Sequence, residues 1–220
     1  MNSPLMHAMI LESPHSLLQL REVPIPEPEE EQILVKVQTC AVCRTDLHIV
    51  DGELPLLERP LILGHQIVGI VAKLGPKATR FTLGQRVGVP WLGKTCGKCR
   101  FCLSNRENLC EKPLFTGYHL DGGYAEFCTA NEKYCHTLPD TYSDLQVAPL
   151  LCGGLIGFRA FRMAGNSTKI GFYGFGSSAH IIIQLASYQR KEIYAFTRSG
   201  DKAAQNLAKK LGAVWAGSSE

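Results

Sequence analysis

No stretch of this 220-residue chain is apolar for long enough to span a bilayer. The N-terminus lacks the charged start and continuous apolar core of a secretory signal. These two absences, with a slight net charge, give no reason to expect a membrane partner and make a cytoplasmic location the expectation. An excess of one charge is also missing. Against 20 Asp and Glu stand 23 Lys and Arg, a net charge of +3, too slight to argue for nucleic acid. Internal repeats and low-complexity segments are absent, which excludes a repeat array. Cysteine, in contrast, is plentiful, with nine residues. Disulfides are rare in the cytosol, so the cysteines fit that compartment if most of them hold metal as thiolates.

Four of them are close neighbours: Cys96, Cys99, Cys102 and Cys110, spaced C-x2-C-x2-C-x7-C. Four thiols so close repel if ionised and oxidise if exposed, and a soft cation removes both problems. The rival is an iron–sulfur cluster, whose motif also opens C-x2-C-x2-C but continues with a fourth cysteine three residues on, followed by Pro. Here the fourth comes later and Glu111 follows it. The expectation is a closed four-thiolate zinc site of structural type. A second set, Cys43, His65 and Cys152, is a candidate three-ligand site only if folding gathers it. Such a site leaves a metal position open for chemistry. His65 has Gly64 and Gly69 nearby, and Cys152 precedes Gly153-Gly154, which suggests close packing around both. A structural His and inert buried thiols are the other reading. Cys40, Cys128 and Cys135 read as small buried apolar residues.

The first part of the chain reads as mostly β. Ile33, Val35 and Val37 alternate within 32–38, and the spaced prolines of 23–28 hold that segment extended. Segments 67–74, 86–89 and 124–129 are further short strands, punctuated by Gly and Pro as in a barrel-like domain. From Ser143-Asp144 to Ala164 apolar residues recur at helical spacing. Then strands at 169–173, 192–197 and 214–216 alternate with helices through 181–183 and over 201–211, implying a parallel sheet. Between the first of these strands and its helix lies Gly174-Phe175-Gly176-Ser177-Ser178-Ala179, placed as a dinucleotide loop is placed. Its glycines would let the pyrophosphate approach the helix N-terminus. A dinucleotide fold needs two such halves. Only about fifty residues follow the helical run, so the chain reads as a fragment of a longer protein, or as one whose missing part comes from elsewhere.

These motifs, in this order, resemble those of the zinc-dependent alcohol dehydrogenases of the medium-chain dehydrogenase/reductase superfamily. The residues concerned are Cys43-Arg44-Thr45-Asp46-Leu47-His48, Gly64-His65-Gln66-x-x-Gly69, the four-cysteine lobe, Leu151-Cys152-Gly153-Gly154 and Gly174-Phe175-Gly176. The resemblance covers the whole chain. It implies an α/β plus β fold: a GroES-like β-barrel catalytic domain over 1–150, a linking helix over 151–165, and the first part of a Rossmann domain over 166–220. It implies two zinc ions, the catalytic one on Cys43, His65 and Cys152. Asp46 would then orient His65. Thr45 would take the alcohol proton and pass it towards the cofactor ribose and His48, and Arg44 would meet the pyrophosphate. Trp91 resembles a wall of the substrate pocket, with a core Trp as the alternative. A small-molecule alcohol or aldehyde and a homo-oligomeric full-length protein complete the implication. The rivals are a truncated zinc-binding module without turnover and a zinc-free reductase of the same superfamily, against which the lobe argues.

Two positions depart from the family pattern. Gln66 stands where the family has Glu, which puts ligand exchange at the metal in doubt. The second cofactor strand ends Phe196-Thr197-Arg198-Ser199, with Lys202 beyond, where NAD-binding members carry an acid. Without the acid, repulsion of a 2′-phosphate is gone and Arg198 offers it a bidentate fork, which tips NAD(P) towards NADP. Alternatively, Arg198 and Lys202 are solvated charges.

Overall fold

The computed structural model describes residues 4–55 and 60–218. The chain divides into two compact units, Met1–Cys152 and Gly153–Glu220. In chain order the first contains β1 (Leu5–Leu11), β2 (Gln19–Pro24), β3 (Gln32–Cys40), α1 (Arg44–Val50), β4 (Leu61–Ile62), β5 (Ile67–Leu74), β6 (Arg86–Val89), β7 (Leu92–Lys94), β8 (Leu114–Phe115), β9 (Phe127–Asn131), β10 (His136–Thr137) and α2 (Asp144–Val147). The second contains α3 (Gly153–Met163), β11 (Lys169–Tyr173), α4 (Ser177–Tyr188), β12 (Glu192–Thr197), α5 (Lys202–Lys210) and β13 (Trp215–Ser218).

The first unit is built on an antiparallel sheet ordered β10-β6-β5-β3-β9. Ile33, Val35, Ile67, Val71, Val87 and Val89 pack its core, which is why these β-branched runs settle as strands. A smaller sheet, β2-β1-β4, lies apart from it in hydrogen bonding. Pro24 ends β2 on the edge of that sheet, where a missing N–H does no harm. The expected strand at 124–129 begins later, at Phe127. Ala125 makes only an isolated bridge to Ala8, and the amide of Gly123 and that of Tyr124 are taken by the carbonyls of Gly64 and Leu63.

The helical run expected from 143 to 164 is interrupted. After α2, residues Ala148–Leu151 form a 3-10 turn, and Cys152 leaves helical geometry at φ −131, ψ −79 before α3 begins. Pro149 lacks the amide that would have continued α2, and the break turns Cys152 towards the first unit's interior. The segment expected as a linking helix is therefore a turn residue, a break and a helix belonging to the second unit.

In the second unit β11, β12 and β13 pair in parallel, in that order. Ile182, Ile183 and Ala186 of α4 and Ala208 of α5 bury Ile193, Ala195 and Ala216 of the sheet. This is the expected β-α-β-α-β alternation. The third strand starts one residue later than the sequence suggests, at Trp215.

Candidate metal centres and cofactor loop

The four-cysteine lobe fills the connection between β7 and β8. Tight turns gather it: Leu103 N donates to Cys99 O at 3.0 Å, and Arg106 N to Phe101 O at 2.8 Å. All four sulfurs lie within 4.8 Å of one another, with Cys99 to Cys102 at 3.5 Å and Cys96 to Cys102 at 3.9 Å. A tetrahedral ion with metal–sulfur bonds of about 2.3 Å sets sulfur–sulfur distances of roughly 3.8 Å, and these values bracket that. A four-iron cluster places each cysteine on a different iron and would hold the sulfurs further apart, so the spacing fits a single tetrahedral ion better than a cluster. The amides of Cys96 and Lys112 point at Cys110 Sγ, at 3.3 and 3.4 Å. Backbone donors from Cys102 and Glu111 bring the Cys99 thiol down to about 6, whereas burial pushes Cys110 up to about 11.

The second set is assembled from three elements. Cys43 caps the N-terminus of α1, His65 precedes β5, and Cys152 sits at the break before α3. Their ligand atoms lie within 4.8 Å of one another, and the two sulfurs are 3.7 Å apart. His65 is fully buried and its Nε2 has no hydrogen-bond partner. Its Nδ1 lies 3.2 Å from Asp46 Oδ1, near enough for an ion pair though without the alignment of a good hydrogen bond. The same carboxylate accepts the Cys43 amide on Oδ2 at 2.7 Å and the Gly64 amide on Oδ1 at 3.3 Å. One buried acid thus ties down the backbone at both ligands and faces the imidazole.

The protonation states follow from that crowding. Burial works against the charge of Asp46, but His65 and the Cys43 amide outweigh it and hold the acid below the usual carboxylate range. Burial also works against a charged His65, yet Asp46 and Cys43 hold the ring up at about 9. The hydrogen bond between the two thiols, then His65, lowers Cys43; the same bond and burial raise Cys152. A negative pair of groups, a buried ring nitrogen without a partner and two convergent sulfurs fit a borderline-soft cation. With three protein ligands, a fourth position stays open on it.

Gly64 makes this packing possible. It has φ +95, and a Cβ there would lie 2.7 Å from Cys40 Sγ and 2.7 Å from the Tyr124 ring. The Tyr124 phenol, its hydroxyl buried, is pushed up by burial and by the Asp46 carboxylate. Trp91 stands edge-on to the His65 ring with centroids 4.8 Å apart, and stacks on Phe115 at 4.7 Å. Gln66 is buried and donates to Ala41 O at 3.2 Å, so its amide is committed to backbone.

Helix α1 presents the remaining catalytic candidates. Arg44 is exposed, Thr45 Oγ1 lies 3.8 Å from Cys43 Sγ, and His48 follows one turn later. His48 Nδ1 bonds the carboxylate of Glu53, a partner the sequence reading did not include. The signal that could have found it is its place one turn past the helix end, behind Asp51-Gly52. Cys128 and Cys135 are buried and Cys40 is partly so.

In the second unit the glycine loop sits at the carboxyl end of β11. Gly174 has φ +86, Gly176 caps α4, and Ala179 is in its first turn. A Cβ at Gly174 or Gly176 would meet nothing within 4 Å, so the loop offers bare backbone to a phosphate at a helix N-terminus. A cavity of about 340 Å³ opens beside it, lined by Tyr173, Gly174, Phe196, Arg198 and Ser199 among others. Thr197 borders it too, but its hydroxyl is 3.0 Å from Arg198 O and accepts from Gln205 Nε2 at 3.0 Å. Lys202 begins α5 and is exposed; it is not among the lining residues. Among the described residues no helix is long and apolar enough to cross a membrane.

Residues 29–140 match the family model described as the alcohol dehydrogenase GroES-like domain. An alcohol dehydrogenase of Mycobacterium tuberculosis is 44% identical over 197 residues, covering 86% of this chain and 56% of that protein. A cobalt- and zinc-bound thermostable alcohol dehydrogenase from Pyrobaculum aerophilum superposes with a TM-score of 0.85 at 28% identity, over 98% of this chain and 66% of that one. A zinc-binding dehydrogenase from Sinorhizobium meliloti, solved with NADP, does so with a TM-score of 0.85 at 30% identity, over 98% of this chain and 62% of that one. The chain therefore spans well under the whole length of these relatives.

Proposed function

Because the chain belongs to the alcohol dehydrogenase GroES-like domain family, we propose that it carries the zinc centres and part of the cofactor site of an oxidoreductase interconverting alcohols with aldehydes or ketones. The observation that carries this reading is His65: fully buried, Nδ1 facing Asp46, Nε2 turned without a partner towards two convergent thiols. Bound by Cys43, His65 and Cys152, zinc would supply a Lewis acid for the substrate oxygen. A second zinc on Cys96, Cys99, Cys102 and Cys110 would hold the lobe's fold.

The chain's own residues account for the rest. Asp46 fixes the His65 tautomer and ring orientation. Thr45, beside Cys43, takes the proton of the alcohol, and His48 on the same face of α1 carries it towards solvent. Trp91 and Phe115 keep water from the flank of His65. NAD(P) would supply the hydride acceptor; Gly174, Gly176 and Ala179 would hold its pyrophosphate at the start of α4, and the exposed Arg44 would offer a cation for a phosphate. NADP is favoured over NAD, since Arg198 and Ser199 border the cavity at the strand ends and no acid stands there. The committed hydroxyl of Thr197 leaves recognition to Arg198, with Lys202 as a further charge nearby. A cytoplasmic setting belongs to the same reading, since six of the nine cysteines stand in the two candidate ligand sets. A homo-oligomeric assembly belongs to the same reading and rests on family membership alone.

The experiment is nicotinamide reduction by the zinc-loaded protein across short and aromatic alcohols, beside His65→Ala. Turnover lost in that variant is expected; equal turnover in both, or none in either, contradicts the reading. Arg198→Ala should lower kcat/KM for NADP by about tenfold, on the scale of one charge-assisted phosphate contact, and leave NAD nearly unchanged.

A further inference from the structure

The turn after α1 folds back on the helix. Asp51 N donates to Leu47 O at 2.7 Å, Gly52 N to Ile49 O at 3.1 Å, and Glu53 N to His48 O at 2.9 Å. The last of these brings the Glu53 side chain to the edge of the His48 ring, where its carboxylate bonds Nδ1. His15 N donates to Val50 O at 2.6 Å, so the connection between β1 and β2 braces the turn from outside. The pair is open to water on one side, with side-chain exposures of 36% for His48 and 52% for Glu53.

An ionised carboxylate only accepts hydrogen bonds. Bonded to Nδ1, it places a proton on that nitrogen and leaves the Nε2 lone pair free, since the partner of one ring nitrogen sets the state of the other. A neutral imidazole without such a partner favours the opposite tautomer, with the proton on Nε2 and no acceptor there.

We propose that Glu53 is a positioning residue for proton transfer: it holds His48 as the Nδ1–H tautomer so that Nε2 accepts the proton leaving the substrate. This rests on the alcohol dehydrogenase reading for its role and on the His48–Glu53 contact for its geometry. In the oxidation direction the alcohol O–H proton passes to Thr45 Oγ1 as Thr45 gives up its own proton, which arrives at His48 Nε2. The ring becomes an imidazolium whose charge Glu53 balances, and it releases the proton to water at its exposed edge. The carbon-bound hydrogen would leave with the C–H electron pair as hydride to NAD(P), apart from this proton path. The competing explanation is an exposed ion pair that merely tidies a turn, and such pairs contribute little.

The test has two arms on the intact chain. Ring 15N shifts of His48, assigned with His48→Gln and read where the ring is neutral, report which nitrogen carries the proton. Nδ1–H is expected in the native protein and Nε2–H in Glu53→Ala. Amide shifts outside the α1 turn should match in the two, which shows that the variant folds. Nε2–H in the native protein, or no change in the variant, overturns the assignment whether or not the chain turns over. In the kinetic arm Glu53→Ala should lower kcat for alcohol oxidation about tenfold at unchanged KM, the scale set by residues that orient a catalytic group. Glu53→Ala in a His48→Ala background should have no further effect. A second drop there would mean that Glu53 acts through the turn and not through His48, and would overturn the proposal.

Discussion

Asp46 meets the Cys43 amide, the Gly64 amide and the His65 ring from a position 2% exposed to solvent. Its removal takes the ion-pair partner from the His65 ring and leaves the two amides without acceptors, at about 1–3 kcal/mol each when buried and unpaired. Asp46→Ala should therefore lose roughly 2–4 kcal/mol of stability by urea denaturation. It should also weaken zinc binding at Cys43, His65 and Cys152 by about 10- to 100-fold in a chelator competition. A variant with native zinc affinity would show that Asp46 serves the fold alone. At this scale the sequence was informative where a residue type is rare or its neighbours are telling. Cysteine spacing revealed the lobe, and Gly64 announced crowding at His65. It was silent where a common residue acts through a distant or local contact: Tyr124 beside Asp46, Glu53 on His48. Thr197 was read as part of the cofactor site; in β12 it lies on the buried face with Ile193 and Ala195 and accepts from Gln205, an alternation that the motif reading did not use.

Among the elements, strands with β-branched runs were legible and short pieces were not. The hairpin of β1 and β2 escaped because β2 is mostly exposed and carries charge, so its alternation is weak. Helix α1 has seven residues, too few for a periodic signal, and it exists because Cys43 and Asp46 cap it. The long helical run looked continuous because periodicity reports which residues are apolar and not that Cys152 must turn out of the helix. Helix α5 was legible at its start. Asp201 accepts the Ala204 amide at 3.0 Å, as an N-cap does. Asp201→Ala should cost about 1 kcal/mol, seen as faster amide exchange in the first turn of α5 with β3 and β5 unaffected. Equal exchange in the two proteins would mean that packing of Ala208 alone holds the helix.

Over the whole molecule, motif order made both units recognisable before any coordinate, because metal ligands and phosphate loops tolerate few residue types. What order could not supply is convergence: Cys43, His65 and Cys152 are far apart in sequence and meet only through the sheet that places His65 and the break that turns Cys152. The two candidate ligand sets share no residue, so they should load independently. Cys99→Ser should lose the lobe's zinc and destabilise the first unit, since a structural zinc contributes folding free energy, while the set at His65 keeps its ion. Loss of both ions from that single change would show the centres to be coupled. The most direct test of the central claim is native mass spectrometry of zinc-loaded protein beside His65→Ala. Two zinc ions per chain in the native protein and one in the variant are predicted from the two ligand sets; a single ion in both proteins would contradict the account.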